Sequence, residues 1–384
     1  MKYIKLVLKS ARRSKRRTLL TILSVAIAVF LFASLRAVLD GFDAVAAASS
    51  SQRLVTIRST SMIFSMPVSH LDAIRSTPGV QDLAYANWFG GIYKDPKNFF
   101  GQFAVDAEGY LRMYPEMLLT PEERQAWLDD RTGCIVGDGL AKKYGWNVGD
   151  RIVLQPGIPI YGTEDYPFTI RGIYRSTSSA VDNQSMMFHW KYAEERSLQK
   201  GHVGWIVTKV ADPDRATQVA SAIDGKFANS AFETKTDTEK AFSAQFANML
   251  GNLNVLLGAV ALAVVITTLF VAGNTMAMSV RERTTEIAVM RTLGFPSATI
   301  FALVVGEGLL VAILGGAIGA AIARVIVNGE SLGLTGGFIP AFGVGNWNVA
   351  VGLALSAMIG VLAALIPATT ASRLKIVDAL RRVA

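Results

Sequence analysis

Four long runs of apolar residues constrain this 384-residue chain more than any other feature of its sequence. A hydrocarbon layer of about 30 Å is crossed by about 20 helical residues, and each run is long and apolar enough for that. The mean hydropathy of +0.35 and the hydrophobic fraction of 51% agree with this interpretation. The sequence therefore predicts four transmembrane helices, at residues 18–35, 253–278, 298–327 and 347–368.

Basic residues are concentrated in short segments beside these runs. Eight Lys and Arg lie in residues 1–17, three in 279–297 and four in 373–384, whereas residues 40–247 carry 21 basic and 25 acidic side chains. This distribution follows the positive-inside rule, and it argues against a nucleic-acid surface despite the net charge of +8. Both termini and residues 279–297 are predicted to be cytoplasmic, and residues 40–247 and 328–346 are predicted to lie outside.

A cleaved signal peptide is the alternative interpretation of the first run, since Ala46, Ala47 and Ala48 resemble a small-residue cleavage site. The basic segment before the run is unusually long, and the apolar run exceeds the ~7–15 residues of a signal-peptide core. An uncleaved membrane anchor fits better.

Two stretches next to the spans are compatible with longer helices. Residues 37–48 keep helical spacing apart from Gly41, and residues 239–283 contain no proline. A continuous helix over 239–283 would be about twice as long as the hydrocarbon layer is thick. The sequence therefore predicts two stalk helices that project outward from the first and second spans.

The segment between the first two spans has mixed α/β character. Strands are predicted at residues 53–58, 133–136, 151–154, 168–174 and 204–210, and helices at 69–76, 121–129 and 211–227. The whole chain is thus predicted to be an α-helical membrane protein with four transmembrane helices plus a mixed α/β extracytoplasmic domain between helices 1 and 2.

This segment contains no pattern typical of a catalytic or metal site. His70, His189 and His202 are scattered without zinc spacing, and no G-x-S-x-G elbow is present. The single Cys134 excludes an intrachain disulfide. An aromatic stretch is either part of the core or a partner surface: Trp88, Phe89, Tyr93, Phe99, Phe100 and Phe103.

The third span carries features that are unusual in a lipid environment. Gly315 and Gly319 form a small-xxx-small pair that allows close helix packing, although glycine is common in membrane helices. Glu307 and Arg324 are ionisable groups within the span. Each could have a functional role or form a structural pair, and the Arg324 guanidinium could also reach the membrane interface.

Residues 279–297, SVRERTTEIAVMRTLGFPS, connect the second and third spans. Ile287, Met290 and Leu293 are spaced as one face of a short amphipathic helix, which Gly294 and Pro296 end. A helix tethered at both ends cannot rotate independently of its two spans. A motor protein that docks on it would therefore move them.

Three motifs resemble the MacB/FtsX-type ABC transporter permeases, also called the type VII or mechanotransmission class. They are SARRSKRRTLLTILSVAIAV at 10–29, RERTTEIAVMRTLGFPSATIFALVVGEGLLVAILGGAIGA at 281–320 and PATTASRLKIVDALR at 367–381. Residues 135–154 and 169–174 are similar to the periplasmic core domain of that family. The middle motif is the most specific, and the resemblance covers nearly the whole chain.

The resemblance implies a dimeric permease of the bacterial inner membrane that binds a MacB-like ATPase through the loop 279–297. The chain has no G-x-x-x-x-G-K-[ST] motif, so ATP and Mg²⁺ are expected on the partner ATPase and no cofactor on this chain. Other implied partners are membrane lipid and a periplasmic adaptor or lipoprotein. The residues implied to couple to the ATPase are Arg281, Glu282, Arg283, Glu286, Arg291, Gly294 and Phe295, and Glu307 falls on the acidic position of the third-span motif.

Two functions stay open at this stage. The first is export, efflux or extraction of a substrate, and the second is signalling to an outer partner such as a cell-wall hydrolase. A membrane-anchored enzyme is disfavoured because no acid, base or nucleophile constellation is present. The substrate, the adaptor and the choice between a homodimer and a paralogue pair are left open.

The predicted segments are residues 1–17 (basic), 18–48 (span and stalk), 49–238 (outer domain), 239–278 (stalk and span), 279–297 (coupling helix), 298–327 (span), 328–346 (outer loop), 347–368 (span) and 369–384 (tail).

Overall fold

The computed structural model describes residues 15–61, 63–98, 100–178, 181–243, 253–328 and 343–374. It divides into two compact units, a helical unit and an α/β domain formed mainly by residues 40–250. The helices are α1 (Lys15–Ala48), α2 (His70–Arg75), α3 (Ala107–Met113), α4 (Pro121–Asp129), α5 (Asp138–Tyr144), α6 (Trp190–Arg196), α7 (Ala216–Phe227), α8 (Leu253–Glu282), α9 (Thr284–Thr292), α10 (Ser297–Asn328) and α11 (Asn346–Ser372). The strands are β1 (Arg53–Arg58), β2 (Met66–Pro67), β3 (Val80–Trp88), β4 (Gly101–Val105), β5 (Met117–Leu118), β6 (Gly133–Gly137), β7 (Arg151–Leu154), β8 (Tyr166–Ser176), β9 (Ser185–His189), β10 (His202–Val203), β11 (Trp205–Val210) and β12 (Thr234–Thr238).

Within the described residues, four helices are long and apolar enough to cross a membrane: α1, α8, α10 and α11. Each contains one of the predicted spans. Helix α1 continues to Ala48, as the spacing of residues 37–48 predicts. In the second predicted stalk, residues 239–243 are helical and α8 starts at Leu253, whereas residues 244–252 lie outside the described residues.

The helical unit packs through glycine and alanine. Helices α10 and α11 approach closely at Gly308. A methyl group on Gly308 would come within 2.8 Å of the Gly360 carbonyl oxygen. Alanines from α10 and α11, among them Ala312, Ala364 and Ala368, are almost fully buried. In lipid there is no hydrophobic driving force between helices, so their association depends on van der Waals packing. Small side chains let the helix backbones approach closely enough for that packing.

The α/β domain begins with a split motif that we call the root lobe. Strands β1, β3, β11 and β12 with helices α2 and α7 follow the order β-α-β-β-α-β, and the strands lie side by side as β12-β1-β11-β3. Leu54, Ile74, Leu83, Ile206 and Ile223 form its core between the sheet and the helices. The chain enters and leaves the α/β domain through this lobe. Strand β1 follows α1, and β12 is the last strand before the chain continues toward α8.

Residues 89–204 form an inserted lobe between β3 and β11. Its strands extend the same sheet in the order β4-β9-β6-β8-β5, with β7 on β8. Alternate residues of β6 enter opposite cores: Cys134 and Val136 lie on one face and Ile135 on the other. All five residues of β6 are buried, which is the pattern of a strand covered on both faces.

One local prediction needs correction, and one open alternative is decided. The predicted helix 211–227 begins at Ala216, because Pro213–Arg215 forms a 3-10 turn that the Asp212 carboxylate caps at the Asp214 N–H. The aromatic stretch is core where it is described: Phe89, Tyr93 and Phe100 are at most 7% exposed, so this run offers no partner surface through them. Phe99 lies outside the described residues.

Candidate functional site

The connecting helix α9 lies between the long helices α8 and α10. A Schellman motif ends it: the Phe295 N–H donates to the Met290 carbonyl at 3.1 Å, and the Gly294 N–H donates to the Arg291 carbonyl at 3.1 Å. Gly294 has a φ of +84°, a left-handed conformation that favours glycine. The motif turns the chain so that α10 can begin at Ser297.

One face of α9 is held against the long helices. Ile287 is 3% exposed and packs in a cluster with Met276 and Val280 of α8, Ile300 and Val304 of α10 and alanines of α11. Leu293 does not share this face as the spacing predicts, since it is 72% exposed. The reason is that α9 ends at Thr292, so Leu293 already belongs to the turn.

Arg283 connects this region to α10. Its Nη1 donates to Glu307 Oε2 at 2.8 Å, and its Nε donates to Glu286 Oε2 at 3.2 Å. Glu307 is only 8% exposed, and the arginine explains how a carboxylate is retained there. A cavity of about 50 Å³ lies beside the pair, with Ser279 and Met290 in its wall.

Arg291 connects α9 to the end of α11. Its Nη1 donates to the carbonyl oxygens of Ser372 at 2.9 Å and Leu374 at 2.8 Å, and its Nη2 donates to Ser297 Oγ at 3.0 Å. The last carbonyls of a helix have no partner within the helix and carry partial negative charge. The guanidinium therefore caps α11 and holds it beside the start of α10.

Arg17 connects the same region to α1. Its Nη1 lies 2.7 Å from Glu282 Oε2, at the last residue of α8. The Glu282 side chain is 63% exposed, so this pair is screened by water and salt. Three arginine contacts thus link the segment 282–291 to α1, α10 and α11, while α8 runs into it directly.

The residues that the resemblance implied for coupling fall into two groups. Arg283 and Arg291 contact α10 and the end of α11, Glu282 pairs with Arg17 of α1, and Glu286 accepts from Arg283. By contrast, Arg281 and Gly294 are exposed and Phe295 is half-buried. Glu307, the acidic residue of the third-span motif, is the partner of Arg283 on α10. Sequence reasoning missed Arg17, which no motif separates from its basic neighbours. It did not single out Val289, and it placed Leu293 on the packed face, whereas both side chains are exposed.

The two glycines of the third span face α1. A methyl group on Gly315 would come within 2.7 Å of the Ile22 carbonyl oxygen, and one on Gly319 would meet the Ala26 carbonyl oxygen. Arg324 donates to Asn346 Oδ1 at 2.7 Å, at the first residue of α11.

Two of the three histidines of the α/β domain, His70 and His189, and its cysteine are packing residues. The His70 ring stacks on Phe227 with centroids 4.0 Å apart, and His189 Nε2 lies 2.7 Å from the Trp127 carbonyl oxygen. Burial lowers the pKa of both imidazoles and raises the pKa of the Cys134 thiol. Among the described residues, no group of three or more His, Cys, Asp or Glu side chains could hold a metal ion.

Two families match this chain. Residues 18–226 match the MacB-like periplasmic core domain, and residues 258–376 match the FtsX-like permease C-terminal domain. The first match ends within α7 of the root lobe, and the second spans α9, α10 and α11.

Several named proteins are similar to it. An uncharacterized ABC transporter permease of Methanocaldococcus jannaschii is 24% identical over 97% of this chain and 96% of its own length. The macrolide export ATP-binding/permease protein MacB of a Shewanella species is 29% identical over 57% of this chain and 34% of its own length, so this chain matches about a third of that protein. The periplasmic region of MacB from Actinobacillus actinomycetemcomitans aligns with 53% of this chain at 8% identity and a TM-score of 0.36, too low to support an argument.

Proposed function

Because this chain belongs to the MacB/FtsX-type ABC transporter permeases, we propose that it couples ATP hydrolysis by a separate ATPase to a conformational change of its α/β domain. It is a multi-pass membrane protein, with four candidate spans among its described residues. The proposal places α9 in the cytoplasm and the α/β domain outside, which the positions of the basic residues favour. The membrane is proposed to be the bacterial inner membrane, and one similar permease comes from an archaeon.

The contacts of the segment 282–291 carry this proposal. Through Arg17, Arg283 and Arg291 the segment touches α1, α10 and α11, and it continues α8. A displacement of α9 therefore cannot be absorbed by one helix alone. This is the arrangement expected of a part that receives a force from a motor subunit.

The exposed side of α9 is the proposed docking surface for the ATPase. Thr285, Val289 and Thr292 are exposed at helical spacing, and Leu293 follows them. Two exposed apolar side chains among polar ones suit the centre of a protein contact. In this proposal Arg283 and Arg291 act inward on the helical unit, and they do not bind the ATPase.

The work done at the outer face is proposed to be export, efflux or extraction of a substrate, by two permease copies with two ATPase subunits that bind ATP and Mg²⁺. The MacB relatives are named for macrolide export. Activation of an outer enzyme is the alternative that the same coupling would serve.

Leu293→Asp in the full-length chain, reconstituted in lipid nanodiscs, tests the docking surface. We expect the amount of co-purified ATPase activity to fall about tenfold or more, because a charge enters the centre of the contact. Val289→Asp should act in the same direction. Leu198→Asp is the matched control, since Leu198 is 78% exposed in the α/β domain.

Retention of wild-type amounts of ATPase by both the Leu293→Asp and the Val289→Asp chain would contradict the docking surface. A wild-type chain that retains no ATPase after mild extraction would contradict the coupling proposal itself.

A further inference from the structure

A buried arginine joins the two lobes of the α/β domain. Arg53 is the first residue of β1 and is 5% exposed. Its Nε donates to Glu239 Oε2 at 2.8 Å, and its Nη1 donates to the Met113 carbonyl oxygen at 3.1 Å and to Glu116 Oε1 at 2.9 Å. The guanidinium carbon also lies 4.6 Å from the centroid of the Tyr114 ring, within the range of a cation–π contact.

The acidic partner Glu239 belongs to the segment that leaves the domain. It follows β12 directly, and its Oε2 also accepts the Ser50 N–H at 2.9 Å from the segment that enters. One step further out, the hydroxyl oxygens of Ser49 and Ser243 lie 3.2 Å apart. The entering and leaving segments are thus tied to each other where the root lobe begins.

The remaining partners of Arg53 belong to the inserted lobe. Met113 ends α3, and Tyr114 and Glu116 lie between α3 and β5, about 60 residues along the chain from Arg53. In the sheet, the two lobes are joined by three residue pairs of β3 and β4, from Ala86–Val105 to Trp88–Phe103. Arg53 therefore adds a contact between the lobes outside the β3–β4 pairing.

Stability alone does not account for this cluster. Glu239 is 7% exposed, and among the described residues Arg53 Nη2 and Glu116 Oε2 are buried without a hydrogen-bond partner. A buried charged network that is not fully satisfied is less stabilising than apolar packing of similar volume, although removal of one partner is costly. In some proteins a buried polar cluster instead fixes one arrangement of the elements that it joins.

A second arginine offers a comparison within the same domain. Arg112 of the inserted lobe pairs with Asp82 of the root lobe at 3.1 Å, but the two side chains are 45% and 33% exposed. Exposed pairs of this kind contribute little to stability or rigidity because water competes for both groups. Arg112 also makes no contact with the entering and leaving segments in the described structure.

We propose that Arg53 is a positioning residue that makes the inserted lobe follow movements of the segments entering and leaving the α/β domain. The source of those movements rests on the function proposed above. The geometry of Arg53 does not, because all of its contacts lie within the α/β domain. A shift of Glu239 pulls on the guanidinium, and the guanidinium pulls on the Met113 carbonyl and Glu116.

The test measures the distance between two spin labels in the full-length chain in lipid nanodiscs. The labels are introduced at Asp43 on α1 and Arg124 on α4, which are both exposed. The native Cys134 is fully buried and does not take up label. We expect a narrow distance distribution in the otherwise unchanged chain and one about twofold wider with Arg53→Leu, because the buried tie is lost.

Matched variants separate positioning from general destabilisation. Arg112→Leu also removes an arginine between the lobes and should leave the width unchanged. Arg53→Lys should give an intermediate width, because an ammonium reaches one carboxylate but lacks the fork of donors. Glu116→Ala removes one acceptor of the Arg53 Nη1 hydrogen bonds but keeps the Arg53–Glu239 pair, and it should widen the distribution as well. It provides the test if Arg53→Leu does not fold.

A folded Arg53→Leu or Glu116→Ala chain with the original narrow distribution would overturn the proposal. Equal widening by Arg112→Leu would overturn it too, since any lobe contact would then suffice. In a second measurement with the co-purified ATPase and ATP, Arg53→Leu should hydrolyse ATP at the unchanged rate but lose the ATP-dependent shift in distance. If the chain without substitutions shows no such shift, the proposed coupling function fails, while the resting width still decides the role of Arg53.

Discussion

The helical unit packs internally through small side chains, whereas the α/β domain packs internally through large ones. Gly315 and Gly319 bring α10 against the backbone of α1, and no large side chain separates the two helices there. In the α/β domain the largest fully buried side chains include Trp127, Phe188 and Tyr174. In lipid, helices gain from close contact, whereas in water the domain gains from the apolar area that each aromatic ring buries.

This difference teaches how each unit can fail. The α/β domain is sensitive to atoms removed, because a large ring leaves a cavity that its neighbours fill only in part. The helical unit is sensitive to atoms added, because a single methyl group meets the backbone of the next helix. Substitutions of either kind therefore test whether the two units follow different packing rules.

The largest effect is expected from Trp127→Ala in the α/β domain. Trp127 is 0% exposed, and its Nε1 donates to the Gly133 carbonyl oxygen at 3.2 Å. We expect the free energy of unfolding to fall by about 4 kcal/mol, through the cavity and the lost hydrogen bond. Thermal unfolding of the full-length chain, followed by near-ultraviolet circular dichroism, measures it.

Trp347→Ala is the control for that experiment, since Trp347 is 72% exposed at the start of α11. Similar losses for the two tryptophan variants would break the distinction between the two units.

A smaller effect is expected from Gly319→Val in the helical unit. The added side chain would meet the Ala26 backbone of α1, so we expect a loss of about 2 kcal/mol from overpacking. Unfolding in mixed detergent micelles measures it. Gly258→Val on α8 is the matched control, because nothing lies within 4 Å of the position where its methyl group would be. A harmless Gly319→Val would show that close backbone approach does not hold α1 to α10.

The smallest effect concerns Asp182 in the α/β domain. Burial raises the pKa of this carboxyl to about 7, from 3.8 for an ordinary aspartate. The fold therefore favours the neutral acid, and the stability that it contributes at low pH is lost as the pH rises from about 4 to 7. Because part of the residue reaches solvent, we expect a loss of only about 1 kcal/mol over this range.

Asp182→Asn should remove this pH-dependent component, so that its melting temperature exceeds that of the unsubstituted chain more at pH 8 than at pH 5. Asp72→Asn serves as the control, since the Asp72 side chain is 89% exposed. An advantage of Asp182→Asn that is equal at both pH values would argue against a buried titrating carboxyl in this domain.

Patterns along the chain were sufficient for most of the fold. The four apolar runs predicted the long helices, and β-rich runs predicted β1 and β7 with the bounds that the structure has. Local interactions explain this success: helix length and strand alternation depend on neighbours in sequence. The prediction for Leu293 was wrong because the apolar spacing continues to Leu293 but α9 ends at Thr292. The chain turns at Gly294, which has a positive φ.

The candidate site could be predicted only in part. The sequence indicated α9 and its arginines, but Arg283 and Arg291 turn inward on Glu307 and on the end of α11, more than 20 and 80 residues away along the chain. Nothing in a local pattern distinguishes an arginine that docks a partner from one that caps a distant helix. The direction of each guanidinium depends on which helix ends meet in space.

The sequence by itself determined the four helices that, in the described part of the chain, are long and apolar enough to span a membrane, and the α/β domain between the first two. It could do so because apolar length and strand alternation are local properties. Only the tertiary structure decided that the inserted lobe shares one sheet with the root lobe and that Arg53 joins Glu239 to Glu116. Those contacts link residues up to 186 positions apart. Long-range contacts of this kind follow from how the lobes pack, which no periodicity along the chain records.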